Sequence, residues 1–305
     1  MIMESHLQCS ELGTYNLKVL DPYVMDVIDN LKEMYAKCSN DHHINKSKKF
    51  RNKRNEVIDP NFKVTVMKKY EGFEKTLAAI RTNLQKITEN NFDKLKIELE
   101  EYITQIITND NKEEIYRMCE TIICEFSKSQ SFSNIMAKLY SELLSKYNNE
   151  LSDMLNIFIK SYDDIITNIK SSDGIDHQAS QEAYDEFCAN NDKNRLRQSM
   201  GLFMVNIMKY NIIDKEYVLN IINYFQDMLF KAIYEKEKKS VVDELTENIY
   251  ILIVNSKDDV KNLKEWDNIM EKVITITKLS VKDCVSLTSR SKFKHMDILD
   301  SFKKK

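Results

Sequence analysis

From Leu196 to Ala232 the apolar side chains recur at intervals of three and four residues, which is the period of helical faces. Leu196, Met200, Phe203, Met204, Ile207 and Met208 share one face of a first helix, and Val218, Ile221, Ile222, Phe225, Leu229 and Ala232 share one face of a second. Between them Asn211 is placed for a left-handed helix stop, and Asp214 for an N-cap whose carboxylate accepts from the first free N–H groups. So short a connection keeps the two helices together, and the pattern predicts an antiparallel pair. Gly201 lies inside the first stripe, where glycine costs roughly 1 kcal/mol relative to alanine, so a close approach at that face is expected.

The same period runs through much of the chain. Four glycines and two prolines among 305 residues are too few for the turns of a sheet-rich fold, which leaves an all-α chain. Stripes begin at Leu77, Phe92, Ile115, Ile135, Leu151, Val241 and Trp266, and a last helix is expected from about Ser289 to Phe302. Helical pairs recur every ~40 residues, which predicts a HEAT-type α-solenoid of about five pairs, with a closed bundle as the competing arrangement. Expected core positions include Leu77, Ile80, Phe126, Leu139, Phe203, Ile207, Ile222, Phe225, Leu252 and Ile274. The stretch 171–193 interrupts the pattern and reads as a mobile insertion, with a short helix around 179–188.

Ahead of the repeats, residues 1–70 form an N-terminal extension with a short helix after Pro22 and a basic linker, and the repeat domain spans 71–305. Lys46, Lys48, Lys49, Arg51, Lys53 and Arg54 in the linker are suited to weak, non-specific contact with an RNA backbone, as are Lys303, Lys304 and Lys305. The whole chain carries 45 Lys and Arg against 48 Asp and Glu, a formal charge of −3, which argues against a protein that coats nucleic acid over its entire surface. The six cysteines form no CxxC pair and no ligand spacing with histidine, so Cys119, Cys124 and Cys188 are expected to act as small core hydrophobes. No signal-peptide core and no run of ~20 apolar residues is visible, and a reduced, cytoplasmic protein is expected.

Catalytic patterns are sparse. Asp163-Asp164 and Asp258-Asp259 resemble fragments of the aspartate clusters with which helical isoprenoid synthases hold magnesium, but Thr167 and Asn262 stand where a third acid is needed. The scarcity of glycine also argues against a phosphate-cradling loop. A helical magnesium-dependent enzyme is therefore the disfavoured reading, and neither a cofactor nor a metal site is expected.

Three landmarks point elsewhere. Ile80-Arg81-Thr82-Asn83-Leu84-Gln85-Lys86-Ile87-Thr88 with Asn91-Phe92, then Arg195-Leu196-Arg197-Gln198-Ser199-Met200-Gly201-Leu202-Phe203, then Ser289-Arg290-Ser291-Lys292-Phe293 with Met296-Asp297-Ile298-Leu299-Asp300, follow one another in order. Together they resemble the middle domain of translation initiation factor 4 gamma over about residues 73–302. The resemblance implies a five-repeat HEAT scaffold that binds a DEAD-box RNA helicase and contacts RNA weakly. It departs from the family in lacking an obvious aromatic tether ahead of the first helix, where Phe62 is a substitute. Splicing, nuclear cap-binding and nonsense-mediated-decay adaptors share the domain and form the alternative.

By the same resemblance, helicase contacts are expected at Phe62, Asn90, Asn91, Phe92, Ser131, Phe132, Arg195 and Arg290. A cap-binding protein is expected to dock at Tyr15 and Leu20, a degenerate match because Asp21 fills the final hydrophobic position. Tyr224, Leu229 and Phe230 match that docking pattern literally, but their place in the helical pair marks them as core.

Overall fold

A computed structural model describes residues 70–176 and 179–303, which belong to a compact unit running Lys68–Lys305. Ten α-helices and no strand occur among the described residues: α1 Gly72–Lys86, α2 Phe92–Thr108, α3 Lys112–Ser127, α4 Ser133–Lys146, α5 Asp153–Thr167, α6 Gln181–Lys209, α7 Lys215–Ala232, α8 Lys239–Val260, α9 Trp266–Lys278 and α10 Ser289–Asp300. Tyr15, Leu20, the basic stretch Lys46 to Arg54, and Phe62 lie outside the described residues.

Helices pack on their chain neighbours and also on the next helix but one. The even-numbered helices form a row in which α4 packs on α6, α6 on α8, and α8 on α10. Lys96–Glu142 at 2.7 Å and Lys146–Glu100 at 2.6 Å join α2 to α4 at its start. In the odd row α1 packs on α3, α3 on α5, and α7 on α9, while the Tyr217 hydroxyl of α7 donates to Asp163 of α5 at 3.3 Å.

Local chemistry explains the breaks between helices. The Asn111 side chain accepts from the N–H groups of Glu113 and Glu114, and Ser180 and Thr288 cap α6 and α10 in the same way. Asn211 has a φ of +56° and stops α6 in the left-handed region, as expected from its sequence position. Asp214 stands at the N-cap of α7, yet its side chain makes no capping bond.

The core lies where the rows meet. Phe203 is fully buried at the junction of α3, α4, α5 and α6, with ring centroids of Phe126, Tyr140 and Phe158 at 6.1, 6.3 and 5.4 Å. All but one of the ten expected core positions are buried; the exception is Ile274, which is 38% exposed. Val273 and Ile276 turn inward in its place, because the register of α9 is set by Trp266, Ile269, Val273 and Ile276. Of the cysteines expected in the core only Cys119 is buried, and burial pushes its thiol up to about 12; Cys124 is exposed and Cys188 half-buried. Leu229 is core, but Tyr224 beside it on α7 is 37% exposed.

Two further expectations are corrected between α5 and α6. Residues 181–193 are the first half of α6, a 29-residue helix, where only a short helix around 179–188 was expected. After α5 the segment around 171–173 is tied down: the Asp173 carboxylate accepts from the backbone N–H groups of Lys239 and Ser240 at the start of α8, and Ser171 Oγ donates to the Glu237 carbonyl at 2.6 Å. An acid at a helix N-terminus satisfies free donors and complements the helix dipole, which is why this charged loop docks.

Gly201 is explained by a side chain, not by a backbone. A Cβ there would lie 3.1 Å from the Tyr162 hydroxyl and 3.4 Å from Leu252 Cδ2. Tyr162 is fully buried against Phe158, and its hydroxyl has no hydrogen-bond partner among the described residues. Gly201→Ala is expected to lower the melting temperature despite alanine's better helix propensity, and Tyr162→Phe to restore that propensity gain in the double variant; thermal melts of the four-member cycle measure the coupling. Phe203→Ala is expected to cost about 3–5 kcal/mol in denaturant titrations.

Candidate binding cleft

The even row carries a polar cleft of about 450 Å³. Its walls come from helical spacing. Asn191, Asn194, Arg195 and Gln198 line it from α6, Ser240, Asp243, Glu244 and Glu247 from α8, Arg290 from the first turn of α10, and Ser172 from the docked loop. On both long helices the lining positions recur at three and four residues, so each presents one polar stripe beside its buried apolar stripe.

An ion pair in the floor holds α6 and α8 in register. Arg197 is fully buried; its Nε donates to the Ile165 carbonyl at 3.0 Å, and one terminal nitrogen donates to Asn194 Oδ1 and to Glu244 Oε1, both at 2.8 Å. Glu244 also accepts from Gln198 at 2.9 Å and from Asn248 at 2.8 Å. Burial holds the Glu244 carboxyl above its usual range, and the guanidinium and the amide donors pull it back only in part.

The two other acids of the cleft are already engaged. Asp243 accepts from the hydroxyls of Thr288 and Ser291, and Glu247 takes Arg290 at 3.0 Å and Lys294 at 2.9 Å. They fasten α10 to α8. The guanidinium of Arg195 is well exposed, with Asp192 at 3.8 Å, and that of Arg290 is also exposed beyond its single bond to Glu247. The cleft therefore presents two cationic forks among amides and hydroxyls, which is chemistry for binding carboxylates or polar backbone groups.

Of the residues expected to form the helicase surface, Arg195 and Arg290 come together in this cleft. Ser131 and Phe132, both exposed at the α3–α4 turn, follow Gln130, whose amide donates to Gln198 Oε1 at 3.4 Å. This links their turn to the same wall. The α1–α2 turn is different. Phe92 is only 4% exposed and lies under Lys138, 4.4 Å from its ring centre. Asn91 is spent on the turn itself, accepting from the Thr88 N–H at 2.6 Å and donating to the Lys86 carbonyl at 2.9 Å. Asn90 is the exposed member of that trio.

Among the described residues no group of three His, Cys, Asp or Glu side chains is disposed to hold a metal ion, and no helix is long and apolar enough to cross a membrane. Asp163 and Asp164 are exposed on α5, and Asp258 faces Lys261 at 3.3 Å. Sequence reasoning did not single out Asn191, Asn194, Asp243, Glu244 or Glu247. The polar repeat on α6 and α8 was the available signal, hidden because such stripes usually face water. No protein-family profile and no curated protein sequence matches this chain.

Glu244→Gln leaves the Arg197 guanidinium buried without its counter-charge and is expected to cost about 3–5 kcal/mol in chemical denaturation. On α10, His295 is buried with Nδ1 2.8 Å from the Ser291 carbonyl, and burial depresses its pKa below 6.5. The unfolded chain thus binds the proton more readily, and stability is fully present above about 6.5 and lost as pH falls through the folded pKa. Melts from pH 7 to 5 are expected to show this slope in the natural protein and a shallower one in His295→Leu.

Proposed function

We propose that this chain is a translation-initiation scaffold, a HEAT-type solenoid that holds a DEAD-box RNA helicase along the edge formed by the turns within its helical pairs. The observation that carries the reading is the convergence of Arg195 and Arg290 in one cleft, with the Ser131–Phe132 turn tied to its wall through Gln130 and Gln198. These positions belong to two separate sequence landmarks and to a turn that precedes both, and their proximity supports treating them as one surface. The packing of most helices on the next but one supports the solenoid, since stacked pairs present their turns along a common edge.

The chemistry of the surface fits that of a scaffold. Exposed Phe132 supplies an apolar anchor, and the two arginines supply forks for carboxylates of the partner. A scaffold bound to both lobes of a helicase shifts the open–closed balance only by its difference in affinity for the two states. The proposal therefore includes no catalytic residue and no cofactor. The basic stretch Lys46 to Arg54 adds non-specific RNA contact, and Tyr15 with Leu20 a docking segment for a cap-binding protein.

Purified full-length chain is expected to bind the helicase of the same genome and stimulate its RNA-dependent ATPase. The combined Phe132→Ala, Arg195→Ala and Arg290→Ala variant is expected to weaken binding on the order of 100-fold, with an unchanged circular dichroism spectrum. Absence of both binding and stimulation at excess scaffold rejects the proposal.

A further inference from the structure

The misplaced isoleucine marks a second surface. α9 and α10 run antiparallel: the rings of Trp266 and Phe302 lie 6.0 Å apart at one end, and Lys292 Nζ donates to the Leu279 carbonyl at 2.6 Å at the other. That register sets Ile274 level with Met296, and Met270 level with Leu299. The inward faces of the pair pack on α7 and α8. On the outward side Phe293 is 63% exposed, and Ile274 and Met296 are each 38% exposed. Met270 is half-buried beside Ile274. The α9 stripe is thus wider than the chain itself covers, and α10 adds its largest exposed apolar side chain to the same side. Apolar surface concentrated in this way marks an interaction site.

The charges around it identify the occupant. On α9 the exposed acids Asp267 and Glu271 stand on one side of Ile274 and the exposed Lys278 on the other, and in the antiparallel register Asp300 of α10 lies at the Asp267 end. The outward stripe of α9 is therefore acidic towards one end and basic at the other, with Ile274 between them. A second copy related by a two-fold axis through the middle reverses that order, bringing acid against base at both ends and apolar against apolar between them. Self-complementarity of this kind is the requirement of an isologous interface. We propose that the chain forms a two-fold dimer through the outward side of α9 and α10. Arg290 bonds to Glu247 on α8, so the proposed dimer contact uses a different side of α10 from the cleft.

The test is sedimentation equilibrium of the full chain at low salt over a wide concentration range. A dimer is expected, dissociating at least ~10-fold more readily in Phe293→Glu and in Ile274→Glu, with helical content retained because both side chains are exposed in the single chain. The charge order is tested on α9, since Asp300 already holds Lys303 at 2.9 Å. Lys278→Glu and Asp267→Lys are each expected to weaken self-association, and an equimolar mixture of the two to form the heterodimer. A monomer at every concentration overturns the proposal, as does a dimer indifferent to Phe293→Glu and Ile274→Glu. A mixture that associates no better than either variant alone overturns the two-fold arrangement. Monomers whose apolar side binds only the helicase assign this surface to that partner and reject self-association.

Discussion

The buried pair of Arg197 and Glu244 is the contact on which much of the even row depends. One guanidinium engages a carbonyl of α5, an amide of its own helix and a carboxylate of α8, so three helices are positioned by a single side chain. Its worth is in register. Desolvating two charges offsets most of their attraction, but a helix slipped by one residue would strand both in the core. The same carboxylate reaches Gln198, and Gln198 takes a bond from Gln130, so the floor of the cleft and the neighbouring turn belong to one polar network.

The remaining polar groups of the cleft make the helix-to-helix fastenings. Asp243 and Glu247 hold α10, and Asp173 reaches from the preceding loop to the free N–H groups of α8. Acids that look like surface charge in a linear reading are thus committed to structure. Two arginine forks are left facing the cleft with exposed surface, which is what makes the place suited to a partner. Rigid support beneath an exposed cation preserves its geometry, and less order has to be gained on binding.

Apolar packing divides in a comparable way. The aromatic cluster around Phe203 is closed on every side, whereas the outward side of α9 and α10 is left with Ile274, Phe293 and Met296 exposed. Both come from stripes of similar appearance. The difference is whether another helix of the chain lies opposite, and periodicity carries no information on that point.

The sequence by itself determined the helical character, the approximate helix positions and nine of ten chosen core side chains, because burial on one face of a helix demands a period that survives in the linear order. It also located the left-handed stop at Asn211, since few residues other than glycine tolerate that conformation. Only the tertiary structure decided that α6 continues through 181–193, that Asp173 and Ser171 tether the loop before it, and that Phe92 and Asn91 serve their own turn. It likewise decided that Arg195 and Arg290 share a cleft and that Ile274 faces outward. These outcomes depend on pairings between residues far apart in the chain, and helical periodicity records which side of a helix is apolar but not which other helix, loop or molecule comes to lie against it.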